Sequence, residues 1–242
     1  MTARGTGRGR RLGLTRDKVI AKAVTMIDRD GPDAFSLRKL ATELDIENMS
    51  LYSHVPNRDA LLDGVAEALL SEIDFSGAGN GTWQERVRAH CVIFRAAAKR
   101  HRKAFPLMLT RPTKSPAALE AIRSALGSFA DLDLSPKERV HVLRSYNAYL
   151  IGTIMRELGY TVSLSPSTMD PARCRERTAE IAADGDALLR AVAPYLAVSD
   201  HDAEFGYGLE MLIAGLAARL GVPYDGGPSQ TDAHHGCGGT RA

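Results

Sequence analysis

The stretch FSLRKLATELDIENMSLYSHVPNRDALLD, residues 35–63, decides the fold of this 242-residue chain. Residues 37–44 place apolar side chains three and four positions apart, which predicts a short amphipathic helix. A turn over 45–47 separates it from a second short helix, predicted over 48–54. Two helices joined this tightly must cross steeply, with a small residue such as Ala41 where their backbones approach. The spacing is therefore that of a helix-turn-helix.

The helix predicted before this pair completes a small three-helix domain. It buries Val19, Ile20, Ala23, Val24 and Ile27 and ends at Gly31-Pro32, where glycine can adopt the left-handed cap and proline cannot continue the helix. The first residue of the 45–47 turn needs a positive φ, which usually requires glycine. Asp45 stands there instead, and aspartate tolerates this conformation better than bulky residues do.

Helix-start signals recur along the whole chain and predict nine or ten helices. Thr82 with Glu85 and Ser135 with Glu138 form capping boxes, in which cap and third residue satisfy each other's backbone amides. The clearest predicted N-caps are Thr15, Ser36, Asn57, Thr82, Ser115, Ser135, Asp170 and Ser199. No segment alternates apolar and polar residues with period two, so we predict an all-α fold.

Composition shifts suggest four segments. We predict a basic flexible arm over 1–11, the helix-turn-helix domain over 12–63, a larger helical domain over 64–222 and a disordered tail over 223–242. We expect a helix over 58–75, which joins the two domains, and a second helix over 136–158 in the larger domain. We expect a glycine-rich loop over 76–81 and an irregular connection over 160–170.

Composition also excludes several classes of protein. The chain is 44% hydrophobic and 25% charged, it has no apolar run of membrane-spanning length and no signal peptide is visible, so we expect a cytoplasmic protein. Three cysteines without short spacing favour reduced thiols over a disulfide framework or zinc knuckle. His234, His235 and Cys237 are weak metal candidates in a glycine-rich tail. We expect no metal site, no cofactor and, because catalytic motifs are absent, no enzyme.

The second helix of the pair has an exposed face suited to the DNA major groove. Burying Leu51 and Val55 leaves small and hydrogen-bonding side chains outside, with Arg38 near them. Other interpretations are open: His54 could cap carbonyls, Tyr52 could be half-buried in the core, and Met49 could fill a gap. A helical adaptor or a ligand sensor without DNA binding also remains open, as does activation in place of repression.

Residues 35–41 (FSLRKLA) and 50–63 (SLYSHVPNRDALLD) resemble the DNA-binding domain of the tetracycline-repressor family. The resemblance implies double-stranded DNA with a palindromic operator as the partner of a homodimer. It implies that six residues contact bases or the groove wall: Arg38, Asn48, Met49, Ser50, Ser53 and His54. It implies that three residues contact phosphates: Thr15, Tyr52 and Arg58.

The resemblance continues more weakly to residue 222, through Trp83-Gln84, residues 110–113 (TRPT) and residues 205–210 (FGYGLE). It implies a larger domain that binds a ligand and dimerises through a four-helix bundle of the eighth and tenth helices. Close helix packing would also offset the roughly 0.5–1 kcal/mol that each internal glycine, such as Gly206, Gly208 and Gly215, costs relative to alanine.

The same resemblance suggests where a small-molecule effector binds. The implied ligand-binding residues are His90, Phe94, Leu107, Ile122, Asn147 and Ile151. The alternative is that these are ordinary core residues. Leu107 stands where the family has a metal-ligating histidine, so we expect a largely apolar effector and not a drug–magnesium chelate. Such an effector would release a repressor from its operator.

Overall fold

The computed structural model describes residues 13–111, 115–160 and 170–227. Over these ranges the chain forms eleven α-helices and no strand, which confirms the predicted all-α fold with one helix more than expected. The described residues group into two compact units that divide between Leu132 and Asp133. The functional boundary predicted at residues 63 and 64 is a separate matter and stays a prediction.

The described part of the first unit holds seven α-helices, and a short 3-10 turn, Ser76–Ala78, lies between the fourth and the fifth. The helices are α1 (Arg16–Asp30), α2 (Leu37–Glu43), α3 (Asn48–Tyr52), α4 (Arg58–Ser71), α5 (Trp83–Arg100), α6 (Phe105–Thr110) and α7 (Pro116–Gly127). Helix α4 contacts α1, α6 and α7, so it is the central helix of this unit.

The second unit holds four helices in its described part. They are α8 (Pro136–Glu157), α9 (Pro171–Ala182), α10 (Ala187–Leu196) and α11 (His201–Leu220). Helix α8 packs on α11, and α9 packs on α10. Helix α11 ends at Gly221, whose φ of 65° is the left-handed cap that glycine adopts without strain.

Most predicted helix starts are confirmed by side-chain hydrogen bonds. Both capping boxes form: the Thr82 amide donates to Glu85 Oε2 at 2.7 Å, and the Glu85 amide donates to Thr82 Oγ1 at 3.2 Å. Asp170 occupies the N-cap of α9 without a side-chain bond. Ser199 was the wrong cap for α11, because the carboxylate of Asp200 accepts from the Ala203 amide instead.

Helix α4 ends earlier than predicted, at Ser71 and not at residue 75. The Ser76 amide donates to Asp74 Oδ1 at 2.9 Å, and this local bond turns the chain into the 3-10 turn. The following glycine-rich residues form the expected connection to α5.

The turn between α2 and α3 has the strained residue that the sequence predicted. Asp45 has φ 55° and is the one non-glycine residue with positive φ in the described part of the chain. Its conformation lets the Ile46 amide donate to the Ala41 carbonyl at 3.0 Å, which closes α2 and starts the steep change of direction.

Several expectations fall on residues outside the described ranges, namely the arm over 1–11, most of the 160–170 connection and the tail from 228 onward. Among the described helices, none is both long and apolar enough to cross a membrane. Cys91 has a free, buried thiol, whereas Cys174 is disulfide-bonded, so the expectation of reduced thiols is wrong for Cys174.

We predict that Asp45→Val lowers the free energy of unfolding by about 1–2 kcal/mol, because a β-branched residue is strained at positive φ. Asp45→Gly should stay within about 1 kcal/mol of wild type, since the relief of strain offsets the extra freedom of the unfolded chain. Urea unfolding followed by circular dichroism measures both. Asp33→Val, at an exposed turn position with negative φ, is the control. Equal losses for Asp33→Val and Asp45→Val would contradict the prediction.

Candidate functional site

The helix-turn-helix is held by a small apolar core. Leu40 and Ala41 of α2, Leu51 of α3 and Val55 just after it are buried. Leu44 was expected in this core but is only half-buried. Because α3 has five residues and cannot be stable alone, its orientation depends on Leu51 and Val55 packing against α2 and its neighbours.

Burial of this core leaves the predicted base-contacting residues outside. Arg38, Asn48, Met49 and Ser53 are exposed, and Met49 is 77% exposed. Ser50 and His54 are half-buried. The open alternative that Met49 fills a core gap is therefore wrong.

The three residues predicted at phosphates lie at helix ends: Thr15 caps α1, Tyr52 is the last residue of α3 and Arg58 is the first residue of α4. Tyr52 is 44% exposed, so it is not a core ring. Thr15 caps α1 by accepting from the Lys18 amide at 3.3 Å, which leaves its hydroxyl proton available to an acceptor such as a phosphate. Arg58 donates to the Pro32 carbonyl at 3.1 Å, and this bond ties the start of α4 to the α1–α2 turn.

The predicted effector residue His90 lies on α5, and its buried imidazole contacts Phe75 and Ser124 of α7. Its ring stacks on Phe75 with centroids 4.8 Å apart, and Nδ1 lies 3.2 Å from Ser124 Oγ. Burial lowers the pKa of His90 to about 4, so the ring is neutral near pH 7. A neutral imidazole with one nitrogen satisfied by Ser124 suits an apolar wall better than an anion site.

The other predicted effector residues of the first unit are more dispersed. Phe94 packs edge-on against Phe105 of α6, with ring centroids 6.0 Å apart. Leu107 is buried in α6, whereas Ile122 lies on α7 and is 37% exposed. The contacts thus join His90 to α7 and Phe94 to α6, but they do not bring all four residues into one set.

A groove between the end of α4 and the start of α7 has a volume of about 540 Å³. It is lined by Leu70, Ile73, Phe75, Leu119 and Arg123, among others. None of these residues was predicted from the sequence. The groove shares Phe75 with the His90 stack, so His90 lies behind its wall. Because α4 ends at Ser71, Phe75 lies in the segment after it, where its ring stacks on His90 of α5.

Asn147 and Ile151, the remaining effector candidates, lie on α8 in the second unit. Both are half-buried, next to the buried residues Tyr146, Leu150 and Ile154. Their place on one helix matches the prediction.

The second unit also exposes large apolar side chains and small residues on its two long helices. Tyr207 and Met211 of α11 are each more than 60% exposed. A Cβ at Gly208 would lie 2.7 Å from the Tyr149 ring, so this glycine admits a close contact between α8 and α11. A Cβ at Gly152 or Gly215 would meet nothing within 4 Å in this chain, so the close packing expected at Gly215 in the dimer stays a prediction.

An ion pair that the sequence did not predict connects α6 to the start of α4. Arg111 Nη1 lies 3.1 Å from Asp59 Oδ1 and 3.2 Å from Asp63 Oδ1. Arg111 follows directly on α6, and Asp59 is next to Arg58, which holds the α1–α2 turn. The wall near Leu107 is thus connected by short contacts to the helix-turn-helix domain.

Neither a reactive thiol nor a metal site is indicated among the described residues. Burial raises the pKa of the Cys91 thiol to about 12, so it stays protonated. No group of three or more histidine, cysteine or acidic residues is placed to hold a metal in the described ranges. Leu107 has no donor atom for the metal that the family resemblance implies, so this position cannot ligate one.

We predict that the free energy of unfolding falls as the pH is lowered from 6.5 to about 4. In this range His90 is protonated in the unfolded chain but stays neutral in the folded chain. The full effect is on the order of 3 kcal/mol. His90→Gln should remove this part of the pH dependence, as measured by urea unfolding at several pH values. His141→Gln, an exposed site, is the control and should keep the wild-type profile. An unchanged profile in His90→Gln would refute the assignment.

Comparison with known proteins agrees with this geometry. The family model described as the tetracycline-repressor-like C-terminal domain matches residues 76–220. An HTH-type transcriptional regulator of Saccharopolyspora erythraea is 29% identical over 211 residues, which cover 86% of this chain and 87% of the relative. Tetracycline repressor protein class D of Escherichia coli is 30% identical over 210 residues, which cover 86% of this chain and 91% of the repressor.

A solved structure extends the likeness to three dimensions. The TetR-family protein ActR of Streptomyces coelicolor, in complex with actinorhodin, has a TM-score of 0.73 and 25% identity. The match covers 86% of this chain and 99% of ActR. The match of the family model over more than half of the chain and the 30% identity to a repressor along most of its length lead to one conclusion: this chain belongs to the tetracycline-repressor family of transcriptional regulators.

Proposed function

We propose that this regulator is a repressor that binds a palindromic operator as a homodimer and leaves it when a small, largely apolar effector binds. The observation that carries the proposal is the exposed face of α3, mounted on the buried Leu51 and Val55 with Arg38 of α2 also exposed. Exposed polar and apolar side chains of this kind on a short helix are suited to reading base edges in a major groove.

In this proposal the side chains divide between specificity and positioning. Arg38, Asn48, Met49, Ser50, Ser53 and His54 contact bases or the groove wall. Thr15, Tyr52 and Arg58 contact phosphates and fix the register. The protein acts by binding and not by catalysis, and it acts in the cytoplasm, where its operator is.

Dimerisation follows from the apolar surface of the second unit. Tyr207 and Met211 are exposed on α11, and the open sides of Gly152 and Gly215 allow a partner helix to approach closely. A symmetric pair of such surfaces buries them in a bundle of four helices, two from each protomer. Two recognition helices related by this symmetry require an operator with two inverted half-sites.

The effector would bind against the wall formed by α5, α6 and α7. In this proposal His90 and Phe94 of α5, Leu107 of α6 and Ile122 of α7 each contribute an effector contact. Asn147 and Ile151 of α8, in the second unit, are separate candidates. A neutral His90 backed by Phe75 offers one hydrogen-bonding group among apolar ones. This composition supports an apolar ligand with one or two polar groups.

Release from DNA would pass through α4. Arg111 holds Asp59 and Asp63, and Arg58 of the same helix holds the α1–α2 turn. A shift of α6 on effector binding would move α4 and, with it, α2 and α3. Changing occupancy from nearly all bound to nearly all free requires about 5 kcal/mol of preference between the two states.

The DNA-binding surface is tested by fluorescence anisotropy with DNA from the chain's own upstream region. Arg38→Ala should weaken specific binding by about 1–3 kcal/mol, and Tyr52→Phe by about 0.5–1.5 kcal/mol. Arg175→Ala on α9 removes one exposed arginine elsewhere and is the matched control. Wild-type affinity in both test variants would refute the surface.

The effector class is tested by titrating the DNA complex with actinorhodin, which ActR binds, and with tetracycline, each with and without Mg²⁺. We expect that any release is unchanged by Mg²⁺ within about twofold, because Leu107 cannot ligate a metal. A Mg²⁺-dependent release would contradict the apolar assignment. Arg111→Met tests the coupling between effector binding and DNA release. This variant should bind the same ligand as the wild type but release less DNA.

A further inference from the structure

A second groove in the first unit lies between α1 and α4 and is not used by the proposed function. Its volume is about 870 Å³. It exists because small residues face each other across the two helices: Ala21 and Thr25 on α1, and Gly64, Ala68 and Ser71 on α4. A Cβ at Gly64 would lie 2.7 Å from Ile20 Cδ1, so the helices meet there, at the start of the groove.

The rim of this groove is mainly acidic. Asp17 and Asp28 come from α1, and Glu67 and Glu72 come from α4. His101, at the end of α5, approaches two of them, with Nδ1 2.6 Å from Asp28 Oδ2 and Nε2 3.0 Å from Glu72 Oε2. Asp28 Oδ1 is shielded from solvent and has no hydrogen-bond partner among the described residues. An unsatisfied carboxylate oxygen of this kind favours a cationic donor.

The chain supplies such a donor next to the groove. Residues 1–12 contain four arginines, at positions 4, 8, 10 and 11, and no acidic residue. This arm joins the chain just before Arg16, which lines the start of the groove. The lining along α1 ends at Asp28, about 18 Å away at 1.5 Å per residue. Twelve extended residues span up to about 40 Å, so the arm can turn back and cover the whole groove.

We propose that, in the DNA-free protein, the arginine-rich arm of residues 1–12 docks in the acidic α1–α4 groove. Its guanidinium groups pair with the carboxylates of Asp17 and Glu67, which line the groove. Arginine suits these partners because its planar fork donates to two carboxylate oxygens at once. The same arginines are the ones available for DNA phosphates, so docking and DNA contact exclude each other. This consequence, an autoinhibitory arm, rests on the proposed DNA-binding function; the docking itself does not.

Docking is tested on the full, DNA-free chain by brief trypsin digestion, with mass spectrometry of the fragments cut after Arg8, Arg10 and Arg11. Glu67→Lys and Thr25→Lys each place a cation in the groove and should raise the cleavage rate about three- to tenfold at low salt. Added salt should raise the wild-type rate towards the rate of the variants. Asp33→Lys changes an exposed acidic residue that does not line the groove and should leave the rate unchanged.

Equal cleavage in wild type and both groove variants would overturn the proposal, as would an equal rise in Asp33→Lys. Circular dichroism melting checks that the variants are folded. This readout needs no DNA, so it separates failure of docking from failure of the proposed function.

The autoinhibitory consequence is tested by DNA affinity. Glu67→Lys should increase affinity about three- to tenfold more in the full chain than in a chain lacking residues 1–11. The shortened pair corrects for the direct effect of the added charge on DNA binding. An equal gain with and without the arm would overturn the competition between groove and DNA.

Discussion

The packing of α4 is the constraint on which the first unit depends. Its sequence RDALLDGVAEALLS buries Leu61, Leu62, Val65, Ala66 and Leu69, so apolar residues occupy more than one face of the helix. Gly64 lets α1 approach on one side, while Ala66 and Leu70 line a groove with Met108 of α6 and Ala118 of α7 on another. A helix buried on several sides cannot move without moving its neighbours. Helix α4 is therefore suited to transmit a movement of α6 or α7 to α1.

Polar contacts at both ends of α4 connect it to specific residues of neighbouring segments. At its start, Arg58 reaches the Pro32 carbonyl and Asp59 meets Arg111. At its end, Glu72 meets His101, which also holds Asp28 of α1. The exposed members of these pairs contribute little to stability, where such bonds are worth about 0–1 kcal/mol. Their importance lies in fixing which residues move together.

Two of the grooves beside α4, the α4–α7 groove and the α1–α4 groove, differ in the chemistry that they present. The α4–α7 groove lies in front of Phe75 and the neutral His90, which favours apolar contacts. The α1–α4 groove has a floor of small residues under an acidic rim. One helix therefore separates a surface suited to an apolar ligand from a surface suited to a cationic segment. In our proposals both surfaces act on the same helix-turn-helix.

The sequence by itself determined most of the helices and most of their caps, the turn at Asp45 and the residues left outside α3. These features depend on contacts within a few residues, such as Thr82 with Glu85, and on the period of apolar positions. Only the tertiary structure decided the pairs Arg111 with Asp59, His101 with Asp28 and His90 with Phe75, and the grooves beside α4. The physical reason is that these contacts join residues distant in the sequence. Their geometry follows from how the helices pack on one another, which no local pattern encodes.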